Sequence, residues 1–223
     1  MLKALALAAL CAAAAHAQVP PTPAEISAYS GLFAAAAKGD TATIAKLATR
    51  ENVDARDSCG RTPLIVAAFA KQRDAMRALA IAGADPNALD ADRYDMVTIA
   101  AVADDVPTLE AALALGNRAT NVTSRYDGTA LIAAAHLGRV EVVRVLIRAG
   151  APLDHVNNLG WTALIESIVL GDGGPRHTAT LAALVEAGAN VNLADRNGLT
   201  PLHLAQANGY REMAELLQRA GAR

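Results

Sequence analysis

The stretch Asp195-Arg-Asn-Gly198-Leu-Thr200-Pro201-Leu202-His203 decides the fold, because it is the clearest copy of a unit that occurs several times in the chain. Residues 57–64 read Asp-Ser-Cys-Gly-Arg-Thr-Pro-Leu, and residues 157–164 read Asn-Asn-Leu-Gly-Trp-Thr-Ala-Leu. Each copy closes with the tripeptide Ala-Gly-Ala, at residues 82–84, 187–189 and 220–222. The spacing is about 33 residues, and a period of this length is typical of proteins built from stacked repeats.

Each unit is expected to form two helices. Its threonine can cap the first helix, and a proline at the first helical position, such as Pro63, loses no hydrogen bond because that N–H has no helical partner. The second helix carries apolar residues at i, i+3 and i+4, as in Val142, Val143 and Leu146. A glycine suited to left-handed backbone should end it. The expected first helices start near residues 62, 96, 130, 163 and 201, and the expected terminal glycines are Gly83, Gly116, Gly150, Gly188 and Gly221.

A repeat of about 33 residues that carries Thr-Pro-Leu-His and ends in Gly-Ala resembles the ankyrin-repeat family, and in particular a secreted bacterial ankyrin-repeat protein. The resemblance implies an all-α fold, an ankyrin-repeat α-solenoid of helix-turn-helix units joined by β-hairpin-like loops. It also implies binding of a protein partner rather than catalysis. Members of the family bind through the tips of the hairpins and the exposed side of the first, inner helix of each pair.

We expect the chain to divide into a signal peptide at 1–17, a linker at 18–24 and an ankyrin-repeat domain at 25–223. Thr22-Pro-Ala-Glu25 has the pattern of a capping box, and the helix that it opens is expected to continue through residues 32–37. This helix and a second one at 41–49 would form an N-terminal cap that covers the apolar face of the first repeat. The expected boundaries are 25–56 for the cap and 57–89, 90–123, 124–156, 157–194 and 195–223 for the repeats.

The first residues have the pattern of a secretory signal peptide. Lys3 is followed by an apolar run from Ala4 to Ala15, and Ala15-His16-Ala17 is a small-x-small cleavage site. We therefore expect cleavage after Ala17 and a periplasmic or secreted protein. The alternative is an alanine-rich helix at the true N-terminus. No later segment is apolar for long enough to predict a stable membrane anchor.

The charge balance predicts no nucleic-acid partner. The chain has 20 basic and 22 acidic side chains, a formal charge of −2, and the removal of Lys3 with the signal makes it more negative. Nucleic-acid binders instead concentrate basic residues on one face. Only Cys59 remains after the signal, so the fold cannot depend on an internal disulfide.

The middle repeats depart from the pattern of the others. Arg93 and Asp127 replace the glycine that precedes the threonine by two positions, and Asp95 replaces the threonine itself. Arg-Tyr-Asp occurs on two successive hairpins. Tyrosine, tryptophan and arginine often dominate interface energy, although the alternative is that these side chains pack along the hairpins. The expected partner-binding residues are Asp92, Tyr94, Arg125, Tyr126, His136, Asn158 and Trp161.

The fourth repeat carries an insertion, because Gly188 follows Thr162 several residues late. The glycine-rich segment 171–178 precedes a helix and could hold a carboxylate or phosphate on free amides, which would make the chain a small-ligand or anion sensor. A simple insertion between two helices is the alternative. Glu166 replaces an apolar residue of the other repeats and is expected to anchor this loop, or else to reach solvent. The residues of this second candidate site are Glu166, Asp172, Gly173, Gly174, Arg176 and His177.

No catalytic or metal-binding pattern is evident. The histidines are spread along the chain, and none begins a metal-ligand spacing. We therefore expect no cofactor, no metal and no enzymatic activity, and we expect a monomer. The resemblance also admits a role as an accessory protein that supports an oxidative-stress enzyme such as a catalase.

Overall fold

A computed structural model describes residues 18–223, and this part of the chain forms thirteen α-helices and no β-strand. The predicted signal peptide, residues 1–17, lies outside the described residues. The cap contains α1 (Pro23–Ala28), α2 (Gly31–Lys38) and α3 (Thr41–Leu47). The repeats contain the pairs α4 (Pro63–Phe69) and α5 (Arg73–Ile81), α6 (Met96–Val102) and α7 (Val106–Ala114), α8 (Ala130–His136) and α9 (Val140–Arg148), α10 (Ala163–Val169) and α11 (Pro175–Glu186), and α12 (Pro201–Ala207) and α13 (Arg211–Arg219).

The inner helices begin where the sequence predicted them, because a side chain caps each one. The oxygen of the preceding threonine accepts a hydrogen bond from the backbone N–H three residues further on, and Asp95 does the same in the second repeat. The loss of such a cap costs about 1 kcal/mol. The capping residues are Thr62, Asp95, Thr129, Thr162 and Thr200.

Two layers of helices make up the solenoid. The inner helices α2, α4, α6, α8, α10 and α12 each contact the next one in the series, and the outer helices α3, α5, α7, α9, α11 and α13 do the same. One continuous core runs between the layers, and it is filled by small and branched apolar side chains such as Ala101, Leu131 and Leu164. The predicted all-α solenoid is confirmed. Each outer helix of a repeat ends, as predicted, at a glycine with a φ between 79° and 98°.

The cap differs from the prediction at one point. The capping box is present, with Thr22 and Glu25 bonded reciprocally, but α1 stops at Ala28 and the predicted continuation through residues 32–37 is wrong. Tyr29 has extended backbone instead. Its hydroxyl donates to Asp57 over 2.6 Å, and its ring stacks on Phe33. This contact with the first hairpin explains why the chain breaks between two helices rather than forming one.

A buried arginine joins the cap to the first repeat. Arg61 is 1% exposed and forms ion pairs with Glu25 of the cap and, over 2.7 Å, with Asp57 of its own hairpin. Its guanidinium also donates to the carbonyl of Val19. Hydrogen bonds from the Thr22 backbone and hydroxyl, and then from Arg61, lower the pKa of Glu25 to about 2.

Among residues 18–223, no helix has the length and apolar character to cross a bilayer.

Candidate functional site

The hairpins between repeats are held in a ladder by backbone hydrogen bonds. Ala91 donates to Cys59, Ser124 to Arg93 and Asn158 to Tyr126, each over 2.9 to 3.0 Å. The Asn158 side chain adds a bond to the carbonyl of Arg125. The ladder fixes the tips of the first four hairpins relative to one another. Side chains that are distant in sequence are thereby brought to one surface.

The repeated Arg-Tyr-Asp sequence has a structural role that links the second and third hairpins. Arg93 pairs with Asp127 over 2.8 Å, and Asp92 pairs with Arg125 over 3.1 Å, so the two hairpins exchange reciprocal ion pairs. All four side chains are more than two-fifths exposed. Exposed pairs of this kind contribute roughly 0–1 kcal/mol each. Asp92 and Arg125, both expected partner-binding residues, thus pair with each other and remain exposed to solvent.

The expected aromatic residues come together around one cavity. The cavity has a volume of about 230 Å³ and lies on the face formed by the inner helices and hairpins of the second, third and fourth repeats. We call it the inner-face cavity. Its lining is mainly apolar, with a few polar groups. The lining residues are Tyr94, Thr98, Val102, Thr123, Ser124, Tyr126, Gly128, Thr129, Ile132, Ala133, His136, Asn157, Leu159, Trp161, Glu166 and Leu170.

Glu166 supplies the buried acidic group of this cavity. It lies on α10 and is 5% exposed. Its Oε1 accepts from the Asn157 side chain over 2.8 Å, and its Oε2 lies 3.7 Å from Nδ1 of His136. Burial raises the pKa of Glu166 to about 8, and the bond from Asn157 only partly opposes this effect. At neutral pH the carboxyl is therefore largely protonated.

Both expectations for Glu166 are wrong. Its polar neighbours in the structure, Asn157 and His136, lie outside the inserted loop, so the residue does not anchor that loop. It does not reach solvent either, since its side chain is 7% exposed. Glu166 faces the hairpins, where the neighbouring repeats leave space.

Asn157 is the partner that makes the buried carboxyl possible, and it was not among the residues predicted from the sequence. Asp57, Asp90 and Asp195 occupy the same hairpin position in three other repeats and accept two backbone N–H bonds there. Asn157 accepts the same two bonds, from Leu159 and Trp161, and its amide donates to Glu166. An aspartate carboxylate in its place could not donate this hydrogen bond to Glu166. The sequence did contain one signal for this contact. The same repeat has asparagine in place of the hairpin aspartate and glutamate in place of an apolar residue on the inner helix.

His136 closes the cavity from the third repeat. Its side chain is 28% exposed, and burial together with the nearby charge of His177 lowers its pKa. The ring of His177 bonds the His136 carbonyl over 2.9 Å. The inserted loop is thus connected to the cavity through the backbone of His136. The loop itself does not line the cavity.

The polar groups of the inserted loop bond to the protein. Asp172 accepts from the Gly174 amide and contacts His177 over 2.8 Å, while Arg176 reaches Asp104 and the carbonyl of Gly138. The hydroxyl of Tyr210 donates to the Gly171 carbonyl, which packs the loop against the last repeat. This arrangement is that of an insertion clamped between repeats. Gly173 has a φ of 68°, and a side chain there would overlap the ring of Tyr210.

The seven expected partner-binding residues therefore fall into two groups. Tyr94, Tyr126, His136 and Trp161 line the inner-face cavity, and Tyr94 is the most buried of the three aromatic residues, at 5% exposed. Asp92, Arg125 and Asn158 belong to the hairpin ladder beside it.

Within residues 18–223, no cluster of three or more histidine, cysteine or acidic side chains has the arrangement of a metal site.

Family models match almost the whole chain. A model of ankyrin repeats in three copies matches residues 5–90 and 97–174, and a model of ankyrin repeats in many copies matches residues 175–218. The first match begins inside the segment predicted to be a signal peptide.

Relatives and solved structures agree with this assignment. The ankyrin repeat protein YahD of Escherichia coli K12 is 34% identical over 79% of this chain and 88% of its own length. The mouse B-cell lymphoma 3 protein homolog is 32% identical over 79% of this chain, which spans only 39% of that protein. A crystal structure of an ankyrin repeat domain from Acinetobacter baumannii is 45% identical, with a TM-score of 0.79 and coverage of 86% and 98% of the two chains. The chain belongs to the ankyrin-repeat family.

Proposed function

We propose that this chain is a non-enzymatic interaction module that acts in the bacterial periplasm and binds a folded protein partner through its inner helices and hairpins. Ankyrin repeats are generally protein–protein interaction modules. The observation that carries the proposal is the inner-face cavity, where Tyr126 of the third repeat meets Trp161 and Glu166 of the fourth. Aromatic side chains at the edge of a preformed apolar cavity are typical anchors of a protein interface.

The location of the cavity supports this surface over the outer layer. The cavity spans three repeats that the hairpin ladder holds in fixed positions, so a partner would meet a preorganised surface. Exposed Asp92 and Arg125 lie beside it and offer polar contacts at its rim. The inserted loop is a weaker candidate, because Arg176 and His177 already bond within the protein.

Affinity capture from the periplasmic fraction of the producing cells tests the proposal. The bait is the full chain, compared with a Tyr126→Ala, Trp161→Ala variant whose fold is verified by circular dichroism. Ile81→Ala is the matched control, because Ile81 is 88% exposed and lies on outer helix α5. We expect one partner to be retained by the wild type and the control and lost by the double variant. Equal capture by all three would place the interface elsewhere.

Export to the periplasm has a separate test. We expect the protein recovered from the periplasmic fraction to begin at Gln18, as judged by N-terminal sequencing or intact mass. A chain that retains residues 1–17 and remains in the cytoplasmic fraction would contradict this part of the proposal.

A further inference from the structure

The inner-face cavity has the polarity of a cation site. The described residues that line it include one buried carboxyl, that of Glu166, and none of them is lysine or arginine. Tyr94, Tyr126 and Trp161 supply aromatic surface, and aromatic rings attract cations through their faces. A positively charged group therefore matches the lining in charge once Glu166 has lost its proton.

One oxygen of Glu166 remains available for a donor from outside. Oε1 is occupied by the Asn157 amide at 2.8 Å, whereas the nearest basic group to Oε2 is Nδ1 of His136 at 3.7 Å. That separation exceeds a hydrogen bond. The free oxygen suits a single N–H donor. A guanidinium prefers both oxygens of a carboxylate, so an ammonium group fits this arrangement better.

The size of the cavity limits what enters it. A volume of about 230 Å³ lies below the roughly 300–1,000 Å³ of sites that enclose drug-sized molecules. It matches a single long side chain. A lysine side chain has a flexible apolar stem, which suits the apolar lining, and a compact charge at its tip.

We propose that the inner-face cavity is the socket for one lysine side chain of the protein partner, whose ammonium group pairs with Glu166 while its apolar stem lies along Tyr126 and Trp161. This inference rests on the proposed function, since it assigns the cation to a protein. It extends that function by naming the chemistry of the anchor.

The titratable groups around the socket give the binding a defined pH dependence. Glu166 must lose its proton to pair with an ammonium, and its pKa of about 8 means that this proton is present at neutral pH. Affinity should rise by up to about tenfold per pH unit from 6 to 8 and level off above 8, where lysine is still charged. The pKa of His136 is lowered. Protonation of His136 at lower pH would repel the bound cation, so it also weakens binding as the pH falls. The phenol groups of Tyr94 and Tyr126 also line the cavity, and burial raises the pKa of Tyr94 to about 12.

Trp161 provides the readout, because it is the only tryptophan in the chain and it lines the cavity. The full chain is titrated at pH 8 with n-butylammonium, with the neutral isostere 1-butanol, and with the blocked tripeptide acetyl-Ala-Lys-Ala-amide in free and Nε-acetylated forms. We expect a saturable fluorescence change with the two ammonium compounds and none with the two neutral ones. Glu166→Gln should weaken the ammonium response at least tenfold, while its melting temperature at pH 8 does not fall below that of the wild type.

Each other outcome overturns the proposal. Equal responses to charged and neutral probes would show an apolar pocket without charge selection. Binding of n-butylammonium but not of the lysine peptide would assign the site to free amines. If Glu166→Gln fails to fold, the wild type decides, since an affinity that is constant from pH 6 to 8 excludes pairing with Glu166. A partner captured in the pull-down without any ammonium response removes the lysine socket and leaves the proposed function standing. An ammonium response with no captured partner removes the proposed function, and the assignment to a partner's lysine with it.

Discussion

At the scale of the residue, the chain is best understood by comparing each position with its counterparts in the other repeats. Glu166 occupies the position of Val66, Ala133 and Leu204, and Asn157 that of three aspartates. Neither residue is unusual for a protein surface. Their combination in one repeat places a largely protonated carboxyl in an apolar cavity with one amide partner.

Glu166→Gln should make the stability of the protein less sensitive to pH. The folded pKa of about 8 lies above the unfolded value of 4.5, so folding is favoured by the bound proton at low pH. That contribution is lost as pH rises from about 4.5 to 8, at up to roughly 1 kcal/mol per unit. Glutamine stays neutral and keeps an acceptor for Asn157. Urea unfolding at pH 5, 6.5 and 8 should show the variant gaining on the wild type as pH rises, whereas a constant difference would contradict the raised pKa.

Asn157→Asp tests the partner of that carboxyl. Aspartate can accept the same turn bonds from Leu159 and Trp161, as it does in three other repeats, but it cannot donate to Glu166. We expect the free energy of unfolding to fall by about 1–3 kcal/mol, because the buried Oε1 of Glu166 loses its donor. We also expect the pKa of Glu166 to rise. The reverse change Asp195→Asn is the control, because the last repeat has Leu204 in place of glutamate. Similar losses for both variants in chemical denaturation would show that only the turn is affected.

At the scale of the element, the turns between inner and outer helices need left-handed backbone. Gly138 and Gly209 supply it in the third and fifth repeats, with φ of 62° and 73°, whereas Lys71 and Asp104 adopt the same conformation as non-glycine residues, with φ of 56° and 55°. An L-residue in this region costs about 1–2 kcal/mol relative to the right-handed region. These two turns therefore carry local strain.

Lys71→Gly should stabilise the protein by about 1 kcal/mol, because glycine removes that strain. The ion pair that is lost, with Asp105 at 3.4 Å, involves a lysine that is 57% exposed and contributes little. Gly209→Ala is the matched opposite change, since a Cβ there meets no atom within 4 Å and only the backbone conformation is tested. We expect Gly209→Ala to lower the free energy of unfolding by a similar amount. Thermal unfolding of both variants tests this account. A lower melting temperature for Lys71→Gly than for the wild type would contradict it.

Most elements were predictable from the sequence because local signals determine them. Capping threonines, prolines at the first turn and terminal glycines marked the helix starts and ends, and these signals act within a few residues. The break between α1 and α2 was not predictable in the same way. It depends on Tyr29 reaching Asp57, a contact between the cap and a hairpin that no local pattern records.

At the scale of the whole molecule, the function depends on how the repeats stack. Tyr94, Tyr126 and Trp161 were recognised as unusual residues in the sequence, but their convergence with Glu166 on one cavity was not. That convergence follows from the hairpin ladder, which places the hairpins of three repeats side by side. Several members of the site, though not Asn157, could be identified by comparing the repeats in sequence. The stacking was needed to show that they form one site.

The cap provides a test at the same scale. Arg61 joins Glu25 of the cap to Asp57 of the first repeat while it is 1% exposed, so Arg61→Leu should leave a buried carboxylate without its partner. We expect the free energy of unfolding to fall by about 3 kcal/mol and amide exchange in residues 19–29 to become faster. Arg211→Leu, which removes an ion pair from an arginine that is 92% exposed, is the control. Unchanged exchange in the cap of the Arg61 variant would show that other contacts hold it.

The central claim is that a partner binds over the inner-face cavity, and site-specific photo-crosslinking in cells tests it most directly. A photoreactive phenylalanine analogue is placed at Leu159, which lines the cavity, and in a second strain at Ile81 on the outer layer. We expect a discrete adduct with one partner protein from position 159 and none from position 81. An adduct from position 81 alone, or the same adduct from both positions, would contradict binding over the cavity.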